Sequence, residues 1–261
     1  MSHEPFTIAV TGKGGVGKTT ITALLLQTFL HQMKTKILII DADPAANLAS
    51  LLGISQFTTL GEIVERTKRE VEKKSDAYDR TALLEFRLWK DALIEKEPFH
   101  FLAMGRTSGR GCYCAINDVL SYMLDNLKTF YDWIILDMDA GLEHISRNTN
   151  RLINCTLLLT DASQMGFQTV RRIIELAHHL DRSMGTFALI GNMVPNSEAQ
   201  TKIQILADEL NIPLLGIIPC YNELAQLNLE GESLLENLND AITDKEILEI
   251  LKKLLKLHNV I

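Results

Sequence analysis

The sequence predicts an α/β fold: a doubly wound, mainly parallel β-sheet with helices on both of its faces. The first observation behind this prediction is that short apolar runs alternate with longer segments of helical periodicity, as in strand–helix–strand units. The second is that these short runs are continuously apolar, which is typical of parallel strands buried on both faces. The third is that several runs end in a carboxylate or an amide, at the edge where open α/β sheets bind their ligands.

The length and composition of the chain limit the class of protein to which it can belong. With 261 residues, of which 46% are apolar, the chain is long enough to form one domain with a substantial core. We predict a single domain over residues 1–261, with a helical and loop insertion at about 58–114. A net charge of −7 argues against nucleic-acid binding through a basic face. Because no apolar run is long enough to cross a membrane and no signal-peptide pattern is present, we expect a cytoplasmic protein with reduced cysteines.

The first predicted strand and helix enclose the strongest motif. A β-branched run at 6–10 precedes the loop 12–20, which reads Gly-Lys-Gly-Gly-Val-Gly-Lys-Thr-Thr, and a helical run follows at 21–30. The loop fits the P-loop pattern G-x-x-x-x-G-K-S/T, whose backbone N–H groups cradle phosphates at a helix N-terminus. We expect Lys18 to reach the β- and γ-phosphates and the Thr19 hydroxyl to bind Mg²⁺. The predicted nucleotide-binding residues of this loop are Gly12, Lys13, Gly14, Gly15, Val16, Gly17, Lys18, Thr19 and Thr20.

A dinucleotide site is the alternative interpretation of the same loop. Gly12, Gly14 and Gly17 also match G-x-G-x-x-G, and Asp41 ends the second apolar run, where a ribose-binding acid would lie. That pattern does not account for Lys18 followed by a threonine, so the nucleoside triphosphate interpretation is favoured.

Two carboxylates follow the second strand, at 37–40. Asp41 and Asp43 lie at the carboxyl end of that strand, where α/β ligands bind, and we predict that Asp41 supports the Mg²⁺ shell. The alternative is that one of them caps a helix at 45–52. A third carboxylate, Asp137, ends the apolar strand 133–137, and this Walker B pattern predicts a water-mediated contact to Mg²⁺.

Between these strands lies the segment with a close cysteine pair. Residues 58–97 are charged and helical in pattern, with Trp89 on an apolar stripe that predicts core packing, and a strand follows at 99–104. Cys112 and Cys114 then close a glycine-rich loop ahead of a helix at 115–127. A helix N-terminus favours thiolates, so the pair is a candidate metal site, with a buried pair of small apolar residues as the alternative.

The remaining chain continues the strand–helix alternation. Strands are predicted at 157–160, 187–191 and 214–218, and crossover helices at 166–181 and 199–210. A final amphipathic helix at 245–258 carries a broad apolar stripe, which we expect to dock onto the domain rather than to bind a membrane stably.

The loop 12–20, with its second lysine, resembles the deviant P-loop of the family that includes MinD, ParA and the nitrogenase iron protein. The resemblance implies that Lys13 reaches across an ATP-dependent homodimer to the partner's nucleotide; a solvated lysine is the alternative. It also implies catalytic roles for Lys18 and for Asp43, which would belong to switch I and prepare the attacking water.

Three later positions take their expected roles from the same resemblance. Gly141 is similar to the switch II glycine whose N–H senses the γ-phosphate, although Asp139 departs from the small residue often found there. Asn192 matches the asparagine that reads the adenine edge, and Pro219 the backbone that packs on the base. A turn role is the alternative for both.

A narrower resemblance concerns three short segments. Gly-Cys-Tyr-Cys at 111–114, Met-Asp-Ala-Gly-Leu-Glu-His at 138–144 and Ile-Pro-Cys-Tyr-Asn-Glu at 218–223 resemble CooC-type ATPases, which insert nickel during maturation of carbon monoxide dehydrogenase. This implies a slow, Mg²⁺-dependent ATPase acting as a metallochaperone for carbon monoxide dehydrogenase or a related nickel enzyme. Cys112 and Cys114 of two protomers would bind one Ni²⁺, or Zn²⁺ in its place, with four thiolates.

Two other functions stay open at this point. A MinD/ParA-like positioning ATPase is weakly favoured by the terminal amphipathic helix. Electron transfer through a bridging iron–sulfur cluster would need thiolates near a dimer axis, which the cysteine pair would supply.

Overall fold

The predicted parallel sheet is confirmed by the computed structural model, which describes residues 4–73, 80–106, 112–139, 153–179, 184–230, 232–237 and 244–258. Eight strands in these residues form one sheet in the order β3-β4-β2-β5-β1-β6-β7-β8, in which β3 alone runs antiparallel to its neighbour. The strands are β1 Phe6–Gly12, β2 Ile37–Asp41, β3 Ile94–Lys96, β4 Phe99–Ala103, β5 Trp133–Asp137, β6 Cys155–Thr160, β7 Thr186–Val194 and β8 Leu214–Pro219.

Helices cover both faces of this sheet. In the described residues they are α1 Lys18–Gln32, α2 Leu48–Leu51, α3 Leu60–Lys73, α4 Arg80–Arg87 with a π-helical turn Leu88–Ala92, α5 Cys112–Leu127 with a 3₁₀ turn Lys128–Phe130, α6 Gln164–His179, α7 Ser197–Leu210, α8 Asn222–Glu230, α9 Leu234–Asn237 and α10 Asp244–Leu257.

Two separate apolar cores follow from the pleat of the strands. Because successive strand residues point to opposite faces, Leu38 and Ile40 join one core and Ile37 and Ile39 the other. Side chains from α3, α5, α6 and α7 fill the first core, and side chains from α1, α2, α9 and α10 fill the second. The uninterrupted apolar strands of the sequence are thus explained by burial on both sides.

Two predictions for the segment 58–97 are wrong. The helical pattern ends at Ala92, and Ile94–Lys96 instead pairs with Phe99–Phe101 as the edge strand β3. Trp89 is 41% exposed rather than buried in the core. Backbone pairing with β4 decides the conformation of such a short apolar segment, which periodicity alone cannot assign.

The helix expected at 45–52 is also shorter than predicted. It begins at Leu48, because the preceding residues form a turn in which Ala46 has a φ of 51°. The carboxylate of Asp41 accepts a hydrogen bond from the Leu48 amide at 2.8 Å, so this helix start is tied directly to the end of β2.

The C-terminal helix docks onto the domain, as predicted. α10 packs against β8 and α1, and its apolar residues are almost fully buried: Ile247, Ile250, Leu251, Leu254 and Leu255. Gly216 on β8 makes room for this contact, since a Cβ there would lie 2.5 Å from Ile250. Among the described residues, none of the helices has the length and apolar character needed to cross a membrane.

Candidate functional site

The P-loop connects β1 to α1 through two tightly constrained glycines. Gly12 has a φ of 152°, and a Cβ there would lie 2.2 Å from the Leu159 carbonyl oxygen on β6. Gly17, with a φ of 85°, immediately precedes α1, and its Cβ would lie 2.6 Å from Nδ2 of Asn192. Both positions therefore need glycine, for conformation and for space. The loop keeps its backbone close to the helix N-terminus, which is where a phosphate binds.

Lys18 and two threonines of α1 face the end of β5. Lys18 is buried, and its ammonium lies 3.4 Å from the Lys13 carbonyl oxygen, within the loop. The Thr22 hydroxyl hydrogen-bonds the Lys18 carbonyl at 2.9 Å and Oδ1 of Asp137 at 3.3 Å. The Thr19 hydroxyl lies close enough to the carboxylate of Asp137 to lower its pKa. The structure thus brings Lys18, Thr19 and Asp137 close together at the end of β5.

Asp41 and Asp137 form a buried acidic pair on neighbouring strands. They are direct partners in the β2–β5 ladder, with 0% and 1% exposure. Burial and the charge of Asp137 raise the pKa of Asp41 to about 8. Burial raises the pKa of Asp137 to about 7, although Thr19 and Lys18 act in the opposite direction. Two buried carboxylates this close repel one another unless a proton or a cation intervenes.

The acidic pair fits a divalent cation. Oδ2 of Asp137 is buried and has no hydrogen-bond partner among the described residues, which leaves one oxygen available to a metal ion or its water. The hydroxyl of Thr19 is close by, and oxygen donors of this kind are the ligands that Mg²⁺ prefers.

Asp43 lies in the turn that follows β2. Its amide donates to Oδ1 of Asp41 at 3.1 Å, and its own Oδ1 accepts from the Ala45 amide at 2.7 Å. The alternative capping role therefore has a structural basis, because both carboxylates accept backbone N–H groups in this turn. Asp43 is half-buried and close enough to influence the pKa values of Asp41 and Asp137.

Lys13 is held by the end of a neighbouring strand. Its ammonium lies 2.6 Å from Oδ2 of Asp161 and 3.2 Å from the Ser163 hydroxyl. Burial opposes ionisation of Asp161, but the hydrogen bonds from Lys13 and Ser163 prevail and lower its pKa. Within one protomer, then, Lys13 has a partner other than solvent; its expected role in the second protomer stays a prediction.

Asn192 lies within β7 rather than at its end. The predicted strand stopped at Gly191, but β7 continues to Val194 through an irregular pairing with β8 at which Met193 has a φ of 54°. The Asn192 side chain is buried and donates from Nδ2 to the Val16 carbonyl at 2.8 Å. Asn192 therefore holds the P-loop backbone in place through Val16. Pro219, the last residue of β8, pairs opposite Val194, which is two residues beyond Asn192 on β7.

Two groups of predicted residues are only partly placed. Cys112 and Cys114 lie in the first turn of α5, rather than ahead of the helix as predicted, but their side chains are outside the described residues. Gly141 lies outside the described residues altogether. The metal ligands and the γ-phosphate sensor therefore stay predictions.

Three residues of the site, Thr22, Asp161 and Ser163, were not predicted from the sequence. A signal for Asp161 was present, because it directly follows an apolar strand, as Asp41 and Asp137 end theirs. Thr22 follows the threonine of the motif by three residues, so helical spacing places both side chains on one face of α1.

The family of the chain follows from a comparison with known proteins. The profile of the family described as "CobQ/CobB/MinD/ParA nucleotide binding domain" matches residues 7–235, which is most of the chain. The protein belongs to this family.

Individual relatives agree with this assignment. An uncharacterized ATP-binding protein of Methanocaldococcus jannaschii is 36% identical over 250 residues, covering 95% of this chain and 98% of its own. The carbon monoxide dehydrogenase accessory protein CooC of Rhodospirillum rubrum is 30% identical over 248 residues, covering 91% and 92%. The fold is similar to that of the septum site-determining protein MinD of Pyrococcus horikoshii OT3 complexed with Mg-ADP, with a TM-score of 0.69, 22% identity and 98% coverage of both chains.

Proposed function

We propose that this member of the CobQ/CobB/MinD/ParA family is a Mg²⁺-dependent ATPase that delivers nickel to carbon monoxide dehydrogenase or a related nickel enzyme. The observation that carries the proposal is that α5, which begins with the two cysteines, starts at the same edge of the sheet as the P-loop. Strands β4 and β5 are parallel, so the helix that connects them runs back along the sheet and begins at its carboxyl edge. The metal site and the nucleotide site would thus lie on the same side of the molecule.

The nucleotide half of the proposal assigns a role to each residue of the site. The P-loop amides and Lys18 would hold the phosphates, Thr19 and Asp137 would hold Mg²⁺, and Asp41 would support this Mg²⁺ site. When bound, Mg²⁺ neutralises phosphate charge. Asp43 is held by its own backbone turn within reach of this edge, where it orients the attacking water. Asn192 keeps the Val16 carbonyl, and with it the loop, in place.

The nickel half rests on the cysteine pair and on the likeness to CooC. One chain offers Cys112 and Cys114 as soft ligands at the start of α5, where the helix dipole favours thiolates. Sulfur-rich sites usually have four ligands, so two protomers related by a two-fold axis would complete one site. Lys13 supports such a dimer, since it lies at the surface of the P-loop and can exchange Asp161 for a partner's nucleotide.

The test is equilibrium dialysis against Ni²⁺ with elemental analysis of anaerobically purified protein. We expect one metal per dimer, and no tight binding in Cys112→Ala or Cys114→Ala, because either change leaves too few thiolates. ATP binding should persist in both. Cys220→Ala is the matched control, because this exposed cysteine lies at the end of β8 and not at α5. One metal per monomer, or tight binding in the double cysteine variant, would contradict the bridging site.

A MinD/ParA-like positioning ATPase is the second candidate, favoured by the fold similarity to MinD over the whole length of both chains. Binding to a membrane surface would require the apolar stripe of α10. In the structure this stripe is buried against β8 and α1. Co-sedimentation with anionic liposomes in the presence of ATP separates the two functions: binding supports the positioning protein, and nickel retention without binding supports the chaperone.

A further inference from the structure

A large cavity lies at the amino edge of the sheet, opposite the P-loop. Its volume is about 840 Å³, which is within the range of small-molecule sites. It lies where β2, β4 and β5 begin, bounded by the end of α1 on one side and by the π-helical turn before β3 on the other. We call it the amino-edge cavity. Nothing in the nucleotide chemistry described above uses it.

Apolar side chains form a large part of the lining of the amino-edge cavity. Leu30, Met33 and Leu93 are among them, and two large aromatic side chains, Trp89 and Phe130, also line it. Trp89 is 41% exposed and Phe130 is 62% exposed, so these two residues mark the mouth of the cavity. Exposed aromatic residues beside a cavity indicate a binding surface, because they retain apolar area for a ligand to cover.

Four exposed charged residues line the same cavity in two groups of opposite sign. Lys34 and Lys36 precede β2, whereas Glu95 and Glu97 belong to β3 and the turn after it. None of the four side chains forms an ion pair within the described part of the chain. Asp132 holds the lysine-bearing turn in place, since its carboxylate accepts from the Thr35 hydroxyl at 2.9 Å and the Lys36 amide at 2.8 Å.

The distance between the two groups follows from the sheet order. β4 separates β2 from β3, so the backbone segments that carry the positive and negative groups lie two strand spacings, roughly 10 Å, apart. An extended peptide covers about 3.3–3.6 Å per residue, so about three residues bridge this distance. A free amino acid spans only about one residue, which is less than this backbone spacing.

Polar atoms suited to a peptide backbone lie between these charges. The Tyr131 hydroxyl and Nδ1 of His100 are 2.7 Å apart in the cavity wall, and Glu95 is paired opposite His100 in the β3–β4 ladder. Burial and the nearby Glu95 raise the pKa of Tyr131 to about 12, so the tyrosine keeps its proton.

From this arrangement we propose that the amino-edge cavity binds a short apolar peptide of about three residues by both of its charged ends. Glu95 and Glu97 bind the ammonium group, and Lys34 and Lys36 bind the carboxylate. The apolar side chains of the peptide fill the space between Trp89 and Phe130. The ligand class is set by the combination of an apolar body with opposite charges at this spacing.

Trileucine with free ends is the probe, and the two tryptophans of the chain provide the readout. Trp89 stands in the cavity mouth, whereas Trp133 is 5% exposed in the core and serves as an internal reference. In ¹⁵N NMR spectra the indole resonance of Trp89, assigned with Trp89→Phe, should shift on titration while that of Trp133 stays. An unchanged Trp89 resonance, or equal binding of free leucine, would overturn the proposal.

Blocked peptides and charge variants test the two ends separately. N-acetylation should raise the Kd about two- to five-fold in the wild type and have no further effect in Glu95→Gln/Glu97→Gln. C-terminal amidation should raise the Kd by a similar factor in the wild type and have no further effect in Lys34→Gln/Lys36→Gln. Glu198→Gln and Lys202→Gln, on α7 beside the far end of the sheet, are the matched controls. If neither blocking group changes the Kd, the cavity does not recognise the charged ends of the peptide.

Discussion

The two edges of the sheet handle charge in opposite ways. At the carboxyl edge, Asp41 and Asp137 are buried, and Lys13 is held by Asp161. At the amino edge, the lysines and glutamates of the cavity are exposed and have no ion-pair partners among the described residues. Both edges belong to the same strands, so the difference lies in the loops that follow and precede them.

This difference predicts which edge a ligand would stabilise. A buried carboxylate without a compensating charge costs stability, so a bound cation would stabilise the carboxyl edge. Exposed charges cost little without a ligand, so the amino edge is stable as it is. Changes at the carboxyl edge should therefore affect both stability and turnover.

The largest effect is expected for Asp43→Asn. The change removes the group that orients water but keeps the phosphate cradle, so ATP turnover should fall roughly a hundredfold or more while ATP affinity stays within a few-fold. Phosphate release and binding of a fluorescent ATP analogue measure the two quantities. Asp208→Asn, on the exposed face of α7, is the control. Normal turnover in Asp43→Asn would remove this residue from the mechanism.

The metal-free protein should lose stability as the pH rises. Asp41 and Asp137 have pKa values raised to about 8 and about 7 in the folded state, from 3.8. From about pH 4 up to these values, the folded state binds protons that the unfolded state has lost, so the free energy of unfolding decreases with pH. Urea titrations in EDTA should show this decrease.

Asp137→Asn should flatten that pH dependence. The change removes one titrating group and also the charge that raises the pKa of Asp41, so the metal-free variant should be roughly 1–3 kcal/mol more stable than the wild type at pH 8. At saturating Mg²⁺ and ATP the wild type should instead be the more stable of the two, because the variant lacks the carboxylate that binds Mg²⁺. A wild-type stability that rises between pH 5 and pH 8 in EDTA would be incompatible with this account.

The smallest effect is expected for Asp161→Ala. The pair with Lys13 is partly exposed, at 29% and 24%, so it contributes at most about 1 kcal/mol. Freeing Lys13 should therefore strengthen ATP-dependent dimerisation about two- to five-fold in sedimentation. Glu209→Ala, which breaks the exposed pair with Arg171, controls for lost surface charge. If Asp161→Ala strengthens dimerisation equally when Lys13 is also replaced by Ala, the effect of Asp161→Ala does not depend on Lys13.

The carboxyl edge was largely predictable from sequence. The P-loop is a local pattern, and the strands that end in Asp41 and Asp137 are long apolar runs whose carboxyl ends must meet in a parallel sheet. The roles of Asp161 and Asn192 were not predictable in the same way. Their contacts with Lys13 and Val16 depend on which strand neighbours β1, and strand order is not contained in local periodicity.

The amino edge was the less predictable of the two. Trp89 lies on a helical apolar stripe that predicts burial, yet the stripe breaks off at β3 and leaves the indole at a cavity mouth. The three residues of β3 are too few for a period to identify. The charged residues around the cavity come from three separate connections, so only the folded chain brings them together.

The packing of α10 on α1 bears on the synthesis of the chain. A ribosome releases α1, with the P-loop at its start, long before α10, and folding proceeds with the earlier segments first. Until α10 emerges, the apolar side of α1 lacks one of the elements that bury it in the mature fold. A nascent chain without α10 would accordingly hold its P-loop helix less firmly.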